Sequence, residues 1–156
     1  MVEFLNEEEI IEINRLCLEI SKEFEEIIIV QPDDINYILK FVIDNFHNDL
    51  YEISLAYCIS LIVLHPFKNG NHRTSLIAAE HFLLKNNFQC ISTDEKDLEI
   101  QKWRIEYEER NYLEKEFFRI ACIEDENIKS NEIKKIMKSE YGKVIGNWFR
   151  NNFIIN

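Results

Sequence analysis

Glycine and proline are scarce, at three and two residues in a chain of 156. So little of either leaves no room for long linkers, and the length suits one domain with a real core. No apolar run approaches the roughly 20 residues needed to span a bilayer. The start, Met1 to Glu9, lacks the basic and apolar stretches of a secretory signal, so a cytoplasmic protein without a membrane anchor is expected. The four cysteines, Cys17, Cys58, Cys90 and Cys122, lie far apart with no CxxC pair. They read as reduced, packed thiols rather than a disulfide framework. Positive charge is also short: 18 Lys and Arg face 29 Asp and Glu, a net of -11, which argues against nucleic-acid binding by the whole surface. The four histidines, His47, His65, His72 and His81, form no HxxxH or HExxH pair, which disfavours a metal centre built from them. There is no internal repeat and no low-complexity tract.

What the chain has is helical periodicity. Asn6 caps a helix predicted to run to about Phe24, with Ile10, Ile13, Leu16, Cys17 and Ile20 on one face. Ile27-Ile28-Ile29-Val30 is a β-branched run stopped by Gln31-Pro32, and reads as an extended segment. Asp33 or Asp34 caps the next helix. Asp49 opens another, apolar nearly all round and therefore central and buried, which Pro66 ends. A further helix is predicted from about Asn71 to Lys85, burying Leu76, Ile77, Ala79, Phe82 and Leu83, with Asn86-Asn87 as its stop. Residues 94–125 carry another helical pattern.

Between the last two helices of that central pair lies His65-Pro66-Phe67-Lys68-Asn69-Gly70-Asn71-His72-Arg73-Thr74. Main-chain N–H groups at a helix start are unpaired and sit at the positive end of the dipole, so Gly70 and Asn71 suit a phosphate. Arg73 in the first turn can fork onto phosphate oxygens, and the Asn71 amide can donate to the same anion. A neutral His65 imidazole can take a proton from an incoming hydroxyl. Phe67 reads as a plug into the core. Each of these residues alone has an ordinary structural explanation; their order and spacing together carry the signal.

His65-Pro66-Phe67, Gly70-Asn71 and Arg73 resemble the signature of the Fic/Doc family, whose members move part of a nucleotide onto protein hydroxyls. The similarity extends from Asp49-Leu50-Tyr51-Glu52 through Asn86-Asn87-Phe88, and the fold implied covers about residues 6–125. The resemblance implies a mainly α, Fic-like helical bundle with a short β-hairpin flap. It implies His65 as the base, Asn71 and the loop amides as the anion hole, and Arg73 on the distal phosphates. Mg²⁺ and ATP or another nucleoside triphosphate are the implied cofactor and donor. The implied partner is a target protein bearing a Ser, Thr or Tyr hydroxyl, aligned by a flap for which Ile27, Ile28, Ile29 and Val30 are the candidates. An ordinary buried connector is an equal reading of that segment. The implied setting is a toxin of a toxin–antitoxin pair.

The pattern is broken in three places. Asn69 stands where the family usually has Asp or Glu for Mg²⁺, and an amide oxygen is a weaker ligand for that hard ion. His72 is bulkier than the Gly of AMP-transferring members and cationic only when protonated; beside a phosphate it joins the nucleotide-binding set and favours its charged form. Leu76 replaces a second Arg that holds the γ-phosphate, which resembles the Doc branch. Two chemistries therefore stay open, nucleotidyl transfer and Doc-like transfer of the γ-phosphate. The family's inhibitory Ser/Thr-x-x-x-Glu-Gly/Asn motif has no full match. Cys122 to Asn127 comes nearest and reads as a helix end, so inhibition is expected from a separate antitoxin chain.

Residues 127–156 carry six Lys or Arg against Glu132 and Glu140, a net of +4, which leaves -15 on residues 1–126. The expected organisation is a catalytic part, residues 1–126, and a basic helical extension, residues 127–156. Two short helices, 130–137 and 141–149, are expected to pack Ile133, Ile136, Val144, Ile145, Trp148 and Phe149 against the body. DNA binding by this extension is a weaker reading, as is a degenerate, non-catalytic module that lost activity through Asn69.

Overall fold

The computed structural model describes residues 1–20, 27–91 and 111–156. These form seven helices and two short strands: α1 Glu7–Ile20, α2 Pro32–Asn45, α3 Leu50–Leu64, α4 Asn71–Lys85, β1 Phe88–Cys90, α5 Asn111–Ala121, α6 Glu126–Lys138, α7 Glu140–Asn152 and β2 Phe153–Ile155. The fold is mainly α, as expected.

Helix α3 is the axis. Every residue from Ala56 to Leu64 is buried, and α2, α4, α5, α6 and α7 all pack on it. Its start is fixed by Asp49, whose carboxylate accepts from the N–H groups of Tyr51 (2.9 Å) and Glu52 (3.3 Å). Asp49 also pairs with Arg150 from α7, whose guanidinium lies over the Tyr51 ring at 4.9 Å. Asp49→Ala should therefore lower the stability by about 1–2 kcal/mol, the cap contributing most and the exposed ion pair little. Urea unfolding monitored by circular dichroism checks this, and an unchanged midpoint would contradict it.

Helix α1 lies on α4. Asn6 and Glu9 form a capping box, each side chain accepting from the other's N–H at 2.9 Å. Glu9 also takes Lys85 of α4 at 2.8 Å. Burial pushes the Glu9 carboxyl up, and the bonds from Lys85 and Asn6 more than offset this, leaving it below the usual carboxylate range. Deeper in, the Tyr57 hydroxyl accepts from Leu5 N–H at 3.0 Å, and burial raises its pKa to about 12.

Some expectations need correction. Pro32 does not stop a segment so much as start α2, at the first helical position, where its missing N–H costs nothing. Asp33 and Asp34 fall in the first turn instead of capping. Leu16, Ile20 and Ile77 are exposed, since no element among the described residues covers those faces of α1 and α4. The end of the first predicted helix and residues 92–110 lie outside the described residues.

The C-terminal helices are longer than expected, and Ser139 closes α6 and caps α7. Ile133, Ile145, Trp148 and Phe149 are buried in the same apolar core as α3, with Ile136 packed against it. The two-stranded antiparallel sheet joins distant parts of the chain, Phe88 opposite Ile155 and Cys90 opposite Phe153. Tyr51 of α3 ties it down by donating to the Phe153 carbonyl at 2.6 Å. No helix among the described residues is long and apolar enough to cross a membrane.

Candidate active site

Helix α3 ends at Leu64, and His65 follows in the left-handed region at φ 48° and ψ 58°. A non-glycine residue there carries strain of about 1–3 kcal/mol. Pro66 cannot continue the helix, and Pro66 and Phe67 are both buried. His65 itself is exposed, between inward-facing neighbours.

Phe67 plugs the core as expected, and its main chain is gripped from two sides. On one side, Asn71 accepts from Phe67 N–H at 3.0 Å and donates to the Phe67 carbonyl at 2.7 Å. Asn71 is buried, and with these two bonds its side chain fixes the shape of the loop.

On the other side runs the Ile27–Val30 segment. Ile29 pairs with Phe67 in an isolated antiparallel bridge. Lys68 N–H donates to Ile28 O at 2.9 Å, and Val30 N–H to Pro66 O at 2.9 Å. The segment is extended and lies against the loop. In such a pair the Ile29 N–H and carbonyl point to the opposite edge. Ile28 and Val30 are exposed and Ile27 and Ile29 half-buried.

Gly70 opens α4 at φ 76°, with no side-chain cap on the helix. The first helical bond runs from Thr74 N–H to Gly70 O at 2.9 Å. Arg73 lies in the first turn, half-buried, and donates to the Cys17 carbonyl in the last turn of α1 at 3.3 Å. His72 packs edge-on against His65, ring centroids 5.1 Å apart and planes at 78°. The structure thus gathers His65, Asn69, Gly70, Asn71, His72 and Arg73 around one helix start.

His65 and His72 also border a hollow of about 310 Å³ reaching to Glu114, Phe117 and Phe118 of α5. Leu76, where a second Arg would stand, is buried. Cys122 to Asn127, the nearest approach to the inhibitory motif, is a helix end and turn, with Asp125 capping α6 through Ile128 N–H at 2.9 Å.

One residue that the sequence reading missed belongs to this site. Asn14 of α1 is fully buried and donates to the Asn69 carbonyl at 2.9 Å and to Thr74 Oγ1 at 3.1 Å. The available signal was a lone polar residue on the apolar stripe of Ile10, Ile13 and Cys17.

A family model described as the Fic/DOC family matches residues 4–83. The chain belongs to the Fic/DOC family. The match runs from before α1 to the last turn of α4, so it contains the whole Fic loop and the Ile27–Val30 segment; it stops short of the 125 expected. Neither curated proteins nor solved structures give a significant match. Fic/DOC membership makes this a transferase-type protein. Toward a metal ion, the Fic loop offers the neutral Asn69 amide, and among the described residues no group of three His, Cys, Asp or Glu is placed to hold one.

Proposed function

We propose that the protein transfers AMP, or another nucleoside monophosphate, from a nucleoside triphosphate to a Ser, Thr or Tyr hydroxyl of a target protein. The observation that carries this reading is the exposed His65 imidazole set beside the uncapped start of α4, with Arg73 in its first turn. The hydroxyl oxygen attacks the α-phosphorus, the bond to the bridging oxygen breaks, and pyrophosphate leaves. The hydroxyl proton passes to His65. Loop amides at the start of α4 hold the phosphoryl oxygens as charge builds on them, and Arg73 neutralises the neighbouring phosphates. The open edge at Ile29 aligns the target's main chain by strand addition.

Asn69 is the residue of the loop that would hold Mg²⁺, which would supply charge neutralisation of the polyphosphate. An amide and no carboxylate fits an ion held mainly by the nucleotide. The proposed setting is a toxin restrained by a separate antitoxin chain.

Leu76 favours a second reading, transfer of the γ-phosphate. A buried aliphatic side chain replaces the guanidinium that would fix the nucleotide's orientation. In that case the bond forms to the γ-phosphorus and the nucleoside diphosphate leaves, with His65 in the same role.

Calorimetric titration with ATP, with and without Mg²⁺, tests the nucleotide site. The wild type should bind ATP with a small gain from Mg²⁺. Asn69→Asp should enlarge that gain about tenfold, equivalent to about 1.4 kcal/mol. Absence of ATP binding by the wild type overturns the reading, and an unchanged Mg²⁺ dependence in Asn69→Asp overturns the role given to Asn69.

A further inference from the structure

We propose that Asn14, on the core face of α1, is a positioning residue that sets the phosphate-binding loop by holding the Asn69 carbonyl; this rests on the nucleotide reading above. The Asn69 oxygen can only accept, so the Asn14 NH₂ must face it. That orientation leaves Asn14 Oδ1 buried with no hydrogen-bond partner among the described residues. An unsatisfied buried acceptor is destabilising, and an aliphatic residue, like Ile10, Ile13 and Leu18 around it, would avoid it. The amide is therefore poorly explained by packing and well explained by what its NH₂ holds.

What it holds has a direct consequence for the loop. In a trans peptide the carbonyl and the following N–H point in opposite directions, and the chain has no cis peptide among its described residues. Fixing the Asn69 oxygen against α1 turns the Gly70 N–H away from α1. It also fixes where the Asn69 side chain leaves the main chain. The same Asn14 NH₂ reaches Thr74 Oγ1, the residue that makes the first helical bond of α4. The φ of 76° favours glycine at 70, and a Cβ there would sit a tight 3.2 Å from Asn14 Nδ2, which would have to give by a few tenths of an ångström. One turn further on, the Cys17 carbonyl holds Arg73. Helix α1 thus steadies both the turn that presents Gly70 N–H and the guanidinium behind it.

A matched control exists within the same chain. Asn152 is equally buried, donates to the Trp148 carbonyl at 2.7 Å, and also has an Oδ1 without a partner. It belongs to α7 and has no part in the loop. Asn14→Ala and Asn152→Ala are compared for melting temperature, for MgATP affinity by calorimetry well below both midpoints, and for His65-dependent label transfer from ATP to protein. Both variants should melt lower than the wild type. Only Asn14→Ala should lose nucleotide affinity or transfer, by about 10- to 100-fold, as expected when binding groups move by about an ångström. Asn14→Leu, which keeps the branched shape without the polar atoms, should show the same loss and serves if Asn14→Ala does not fold. Wild-type affinity and transfer in a folded Asn14 variant overturn the proposal while leaving the nucleotide reading intact. Failure of the wild type itself to bind ATP overturns both.

Discussion

His65→Ala should bind MgATP as the wild type does and transfer label to protein about 10²- to 10⁴-fold more slowly, the range for loss of a general base. The split follows from where the residue sits. His65 is exposed at the end of α3, whereas the groups assigned to the phosphates belong to the loop and the first turn of α4. Removing the imidazole takes away a proton acceptor and no phosphate ligand. Alanine, like histidine, brings only a Cβ into the left-handed backbone at 65, so the loop should keep its shape. Calorimetry and label transfer on the same preparation check the split. Equal loss of binding and transfer would mean that the mutation had disturbed the loop, and unchanged transfer would remove His65 from the reaction.

The second large effect is on stability and separates two glycines of one helix. A Cβ on Gly142 would overlap the Met137 carbonyl oxygen and lie 2.5 Å from the Ile136 carbonyl oxygen, both in the last turn of α6. These are main-chain atoms, so α6 and α7 must move apart to admit a methyl group. Ile133, Ile145 and Phe149, all buried in the core shared with α3, resist that movement. Gly142→Ala should therefore cost about 3 kcal/mol, at the upper end for overpacking. For a chain of this length that is a fall of roughly 6–12 °C in melting temperature. Gly146→Ala meets only the flexible end of Leu55, at 3.3 Å, and gains about 1 kcal/mol of helix propensity that offsets the contact. Thermal denaturation of the pair checks the contrast. Equal melting temperatures would contradict the close helix–helix approach at Gly142.

Much of the site could be read in the sequence because its chemistry is local. His65, Asn69, Gly70, Asn71, His72 and Arg73 lie within ten residues, and Asp49 and Pro66 mark the limits of the helix before them. The start of α4 at Asn71 followed from the same loop. What could not be read depends on partners distant in sequence. Asn14 acquires its role only when α1 packs on α4, and in the sequence it is one polar residue within an apolar stripe. That Asn71 also holds the Phe67 peptide shows only once the loop is folded. Leu16, Ile20 and Ile77 fit helical periodicity and are still exposed, since periodicity marks a face and not what covers it. The pairing of β1 with β2 joins strands more than sixty residues apart, with no turn signal between them to announce it. Pro32 has two ordinary meanings, a stop or a first helical residue, and α2 uses the second.

The most direct test of the proposed reaction compares ATP labelled at the α-phosphate with ATP labelled at the γ-phosphate. Each is incubated with a cell lysate, Mg²⁺ and either wild type or His65→Ala. The expected result is protein labelled from the α position only, with the label lost in the variant. Label from the γ position only would contradict nucleotidyl transfer and establish the second reading. No His65-dependent label from either position would contradict both.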